Sequence, residues 1–429
     1  MMIQNVEVSK LSNGMTVITS RSDNVESVSM GIFVGVGSRF EKASEAGVSH
    51  FIEHMYFKGT EKRTAADLSR AIEGRGGYMN AATSEDVTYY YVRLPYEFLS
   101  EGVDVLTDMH LNAAFDPKEF DKEREVIIQE IMMYDDQPAS IVQEKFQEAL
   151  YQKHPLGASV SGSIRSLRAM TPDTLRAYQK RTYVPENTVF SFSGRLEHGR
   201  AVELVEKTLG TLPKGRLPKC RHVDATVRQL PLTIVRKDVN QLNAMLGFRI
   251  FGLHDDRKYA AQMLSAVLGG NMSSRLFQQV REKHGLCYTI LSQTQFFQET
   301  GLFAIGAGFD VKKGIPALKL IAKELVRIAD RKVGNAELQR AKDYITGLNR
   351  LSLEGTNVKM LLQGLGYLSY GRYVDPQEQI ERMRAVTADD VRHVASQIFE
   401  PTRLSLALVV PQDDKRTDEE WLASLSELG

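Results

Sequence analysis

Along this chain, short runs of alternating or continuous apolar residues give way to longer stretches with helical spacing. Val6 to Leu11 and Met15 to Ile18 read as a strand pair. Between them Asn13-Gly14 supplies the dipeptide that tight hairpins favour. Val87 to Leu94 reads as a strand stopped by Pro95, because proline donates no ladder hydrogen bond. Leu99, Val103, Leu106 and His110 then fall on one stripe of a helix. Strand-sized apolar runs recur at Thr188 to Phe192 and at Leu404 to Val410. Apolar strands alternating with long amphipathic helices predict mixed α and β layers, an α+β fold.

The pattern repeats once. Arg168 to Arg176 runs into a helix behind Thr171-Pro172, followed by Tyr183-Val184-Pro185 and the strand from Thr188. Arg384 to Arg392 does the same behind Thr387, followed by Phe399-Glu400-Pro401 and the strand from Leu404, at an offset of 216 residues throughout. Each copy opens with a threonine suited to cap its helix. Two copies predict two similar domains in tandem rather than a solenoid. Between them Leu212-Pro213-Lys214-Gly215-Arg216-Leu217-Pro218-Lys219 has the composition of a linker. The boundary is expected within 212–230, which gives domains 1–215 and 216–429.

Composition narrows the classes. Lys plus Arg equals Asp plus Glu at 54 each over 429 residues, so no basic surface for nucleic acid or a membrane is expected. Two cysteines, Cys220 and Cys287, form neither a disulfide framework nor a Cys-x-x-Cys. A metal site would therefore be built from histidine and carboxylate. Met1 to Ser20 has no charged n-region and no apolar h-region, and the longest apolar runs are far short of a membrane span. A soluble, cytoplasmic protein is expected.

His50-Phe51-Ile52-Glu53-His54 carries the chemistry. Residues four apart share a helix face, so His50 and His54 can present both imidazoles to one ion. Glu53 stands beside them, placed to act on a water without being a ligand. This H-x-x-E-H order reverses the commoner H-E-x-x-H of zinc proteases. A hydrolytic zinc takes three protein ligands and leaves one position open, so a third ligand must come from elsewhere. At the shifted positions of the second copy stand Ala266, Gly269 and Gly270, with no second H-x-x-E-H anywhere. One zinc per chain follows.

Asp116-Pro117-Lys118-Glu119 marks a helix start. The helix should run through Glu123, Val126, Ile127 and Glu130 to about Met133. Glu123 and Glu130, seven apart, share a face, but six acidic residues lie between Asp116 and Glu130. By themselves they read better as solvated surface acids on a helix than as a site. Gly76-Gly77 followed by Tyr78 to Ser84 reads as a turn and a strand. Gly74, Gly76 and Gly77 suit a helix stop better than a phosphate cradle, since no Gly-Lys-Ser/Thr follows.

Taken together, these segments resemble the M16 (pitrilysin-type) metallopeptidases, the inverzincins. That family's third zinc ligand is a glutamate about 75 residues beyond the second histidine, and here 75 residues separate His54 from Glu130. A second glutamate seven residues earlier supports the site, and Glu123 matches it. Gly76 to Ser84 is similar to the family's Gly-Gly-x-x-Asn-Ala-x-Thr-Ser segment, an edge strand beside the zinc. By that likeness Asn80, Ala81, Ala82 and Thr83 would bind substrate by strand addition. Active relatives carry an Arg and a Tyr seven apart in the second domain, matched by Arg281 and Tyr288. The resemblance implies that Arg281 holds a substrate carbonyl or carboxylate and that Tyr288 donates to the oxyanion. It further implies two αβ domains facing each other as a clamshell, each an antiparallel-rich sheet flanked by helices. A chamber in this family needs four such domains, so a partner chain is expected. Because this chain has both the zinc set and the Arg/Tyr pair, a homodimer is the simpler expectation, with a related subunit in a heterodimer as the alternative. The expected activity is zinc-dependent endopeptidase action on peptides or unfolded segments. A zinc-binding subunit active only with a different partner, or an inactive scaffold of the same fold, are the other readings.

Overall fold

The computed structural model describes residues 5–224 and 231–428, so the end of the expected linker window, 225–230, lies outside the described residues. The chain divides into two compact units. The first comprises residues 1–131, 159–221 and 350–375, and the second 132–158, 222–349 and 376–429.

In the first unit six strands form one sheet: β1 Asn5–Lys10, β2 Thr16–Arg21, β3 Ser27–Val34, β4 Tyr78–Thr83, β5 Thr88–Pro95 and β6 Thr188–Gly194. Their order is β1-β2-β6-β3-β5-β4, antiparallel throughout except for β2 beside β6. β1 and β2 are the expected hairpin. Gly14 takes φ +97° at its turn, a conformation that disfavours a side chain, and Asn13 Oδ1 accepts from Met15 N at 3.2 Å.

The first half forms the helices α1 Val48–Tyr56, α2 Ala65–Ile72, α3 Leu99–Asn112, α4 Pro117–Asp135 and α5 Pro138–Tyr151, among others. The predicted stripe on α3 is buried at all four positions. Asp116 caps α4 as expected, its Oδ1 accepting from Lys118 N at 2.9 Å and Glu119 N at 3.1 Å. Phe51 of α1 stacks on Phe120 of α4, ring centroids 4.4 Å apart and nearly parallel. With Ile127 and Ile128 fully buried, this contact fixes the two helices against each other in one core with β3 and β5.

The second unit repeats the arrangement with β7 Leu232–Lys237, β8 Leu242–Phe251, β9 Cys287–Phe296, β10 Thr300–Phe309 and β11 Leu404–Pro411. Its order, β7-β11-β8-β10-β9, with β7 parallel to β11, is the β2-β6-β3-β5-β4 order of the first sheet again. The threonine caps match as well: Thr171 accepts from Thr174 N and Thr387 from Asp390 N.

One feature was not legible in the sequence. Helix α5, from the first half, packs on β11 and β8 of the second unit. The helix Thr356–Tyr370, from the second half, packs on β3 and β6 of the first. Cutting the chain at 215 separates the repeats in sequence, whereas the compact units exchange one helix each. Among the described residues no helix is long and apolar enough to cross a membrane.

Candidate metal centre

The site is built on α1. Gly47 precedes it at φ +92°, where an added Cβ would meet the Ser161 carbonyl at 2.6 Å. Glu41 reaches back to the helix start: its carboxylate accepts from Gly47 N at 2.7 Å and Ser49 N at 2.8 Å. Those are amides a helix cannot satisfy internally. Burial pushes the Glu41 carboxyl up to about 7 against these bonds.

One turn along, His50 and His54 share a face, ring centroids 4.6 Å apart. Glu130 of α4 meets both: its Oε2 lies 3.8 Å from His50 Nε2 and 3.5 Å from His54 Nε2. One ligand atom from each of the three residues lies within 4.8 Å of the other two. Ligands of a tetrahedral zinc, with bonds of about 2.0–2.2 Å, stand roughly 3.3–3.6 Å apart. The set fits such an ion with small adjustment, and its two nitrogens and one oxygen suit zinc.

Glu123, two turns before Glu130 on the same α4 face, accepts on Oε1 from His54 Nδ1 at 2.8 Å. Its Oε2 meets Lys58 Nζ at 2.6 Å. This orients the imidazole with Nε2 toward Glu130. Burial raises the Glu123 carboxyl, but the bonds to His54 and Lys58 outweigh it and hold the group below its ordinary value. Burial likewise opposes charge on His54, yet hydrogen bonds and charges from Glu123 and Glu130 lift the imidazole to about 9. Burial and the neighbouring His54 press His50 down to about 4, with Glu130 opposing. Its Nδ1 is buried without a hydrogen-bond partner. Glu53 points toward β4, where Thr83 Oγ1 donates to its Oε2 at 2.5 Å. Burial dominates and raises its carboxyl above the ordinary value.

The structure thus brings His50, Glu53, His54, Glu123, Glu130 and Thr83 together in the first unit. Asn80, Ala81 and Ala82 lie beside Thr83 on β4, which is the edge strand. Arg281 and Tyr288 lie together in the second unit. The Arg281 guanidinium sits 5.4 Å from the centre of the Tyr288 ring, and Tyr288 is 76% exposed on edge strand β9. Sequence reasoning missed Lys58 and Glu41. Lys58 carried a usable signal, a cation four residues after His54 and complementary to Glu123; Glu41 carried none, because its partners are main-chain amides.

Comparison with known proteins gives the family. The family described as Insulinase (Peptidase family M16) matches residues 16–163. The Peptidase M16 inactive domain matches residues 169–345. An uncharacterized zinc protease of Rickettsia felis is 33% identical over 420 residues, covering 96% of this chain and 99% of the relative. One of Bacillus subtilis is 33% identical over 400 residues, covering 93% and 97%. In fold, the chain is similar to a protease from Helicobacter pylori at TM-score 0.88 and 23% identity, covering 95% of this chain and all of that one. A structure from Pseudomonas fluorescens described as a peptidase M16 inactive domain aligns at TM-score 0.87 and 18% identity, covering 96% and 100%. With both halves matched and full-length relatives above 30% identity, this chain belongs to peptidase family M16.

Proposed function

We propose that the protein is a zinc-dependent endopeptidase that hydrolyses peptides or unfolded segments, with one zinc per chain held by His50, His54 and Glu130. The observation that carries this is the convergence of those three donors with Glu53 beside them but outside the set. Bound zinc would supply Lewis acidity and lower the pKa of water toward neutrality. Glu53, its carboxyl raised above the ordinary value by burial, takes the proton of the attacking water and returns it to the leaving amine. Glu123, paired with Lys58, keeps the His54 ring turned toward the ion. Asn80 to Thr83 offer the edge of β4 to an extended peptide. Arg281 and the exposed Tyr288 are suited to holding a substrate carbonyl and the developing oxyanion.

The chamber, in this reading, is completed by a second copy of the chain in the cytoplasm. Possession of both the zinc set and the Arg/Tyr pair by one chain supports a homodimer. A strictly monomeric mass at working concentration counts against it.

The test is zinc content and cleavage of an unstructured fluorogenic peptide on one purified batch, with and without 1,10-phenanthroline. One zinc per chain with chelator-sensitive cleavage is expected. Zinc without cleavage points to a different partner subunit. Loss of both after zinc is added back leaves the scaffold role.

A further inference from the structure

The strand expected to receive substrate also touches the expected general base. Ser84 N donates to Val87 O at 2.8 Å, so the main chain of Ser84 faces β5. In an antiparallel ladder inward- and outward-facing residues alternate, so Ala82 and Asn80 face β5 while Thr83 and Ala81 face the open edge. Two contacts agree with that register. Gly77 N bonds to Ile72 O rather than to β5, and Ala81 N donates to the Asn80 side chain at 2.8 Å. Side chains alternate too, and Met79 and Ala81 pack on the core side toward α1. Thr83 shares their side, and its hydroxyl reaches Glu53 Oε2 at 2.5 Å.

We propose that Thr83 is a positioning residue for Glu53, joining the peptide-pairing edge of β4 to the general base through a single side chain. The hydroxyl holds Oε2, which in the peptidase reading leaves Oε1 as the oxygen for the attacking water. Its main chain lies on the open side of β4, whose strand neighbour among the described residues is β5 alone. A peptide pairing there would hold Thr83 from both sides, and through it the carboxylate.

This rests on the peptidase reading, so the test has an arm that needs no turnover. Thr83→Val keeps the shape and removes the hydroxyl, whereas Thr83→Ser keeps the hydroxyl. Misplacement of a general base lowers kcat, by roughly 10–100-fold here, while KM stays within about twofold. Thr83→Val should show that split with zinc content unchanged, and Thr83→Ser should recover most of kcat. A wild-type kcat in Thr83→Val, or an equal loss in both variants, overturns the proposal. Independently of activity, thermal unfolding of Thr83→Val should lower Tm in the wild-type background and not in Glu53→Ala. An equal drop in both backgrounds overturns the contact itself. If the wild-type protein cleaves nothing yet the unfolding cycle shows coupling, the peptidase reading has failed and the Thr83–Glu53 link has not.

Discussion

The two units share a strand order and differ in what joins the first long helix to the edge strand. In the first unit α1 is tied to β4 by a carboxylate and a hydroxyl, Glu53 and Thr83. In the second, the helix Lys258–Gly269 is tied to β9 by two hydroxyls, Ser265 and Ser292, at 3.1 Å. Gly269, at the position shifted from Glu53, lies so close that an added Cβ would stand 2.5 Å from Ser292 N. Thr346, at the position shifted from Glu130, turns its hydroxyl back to Lys342 O. One backbone thus carries a candidate metal centre where α1 leaves room for side chains, and a closed, non-titrating contact where glycine draws the strand in. Topology is neutral as to function, and the two units differ in the side chains that stand between helix and edge strand.

The sharpest way to break this comparison is to remove the one group that separates binding from chemistry. Glu53→Gln should retain zinc and lose about 10²–10⁴-fold in kcat, read from metal content and peptide turnover on the same sample. Retained cleavage would refute the assigned role. Next, forcing a carboxylate into the second unit should fail for lack of space. Gly269→Glu is expected to cost about 3 kcal/mol by overpacking against β9, measured by denaturant unfolding, with the zinc content of the first unit unchanged. A neutral result would mean that the closed contact is not what bars a carboxylate from this position in the second unit.

A smaller effect sharpens the role of the His54–Glu123–Lys58 chain. Glu123→Gln should weaken zinc binding by about 10–100-fold, as loss of a ligand-orienting partner does, measured by competition with a chromophoric chelator. The pH dependence is the finest test. In the metal-free protein the raised His54 contributes stability that is fully present below its ordinary value near 6.5 and lost as pH rises through about 9. Zinc needs the neutral ring, so apparent affinity should climb about tenfold per pH unit up to that point and then level. His50, held down to about 4, adds no second proton in that range. Glu123→Gln should move the levelling to lower pH, and an unmoved profile would show that Glu123 does not set the His54 charge.

Much of this was legible in the chain because it is local. His50 and His54 sit four apart on one helix, and Glu123 and Glu130 seven apart on another, so helical periodicity alone puts each pair on one face. Asn13-Gly14, Asp116-Pro117 and the two threonine caps specify turns and helix starts from their own backbones, and the 216-residue repeat announced two similar sheets. That Glu130 completes the histidine pair was legible only through family likeness. Periodicity says which residues share a face, not which face meets another helix. Packing decided the rest. The Phe51–Phe120 stack brings α4 to α1, the bend of the chain before α1 carries Glu41 to its amides, and the pleat of β4 turns Thr83 toward Glu53. The exchange of α5 and the helix Thr356–Tyr370 belongs to the same class, since an amphipathic helix requires an apolar sheet face but does not specify whose. Sequence determined the elements and their chemistry, whereas the choice among equally apolar partners, made by burial over the whole chain, determined which of those groups meet.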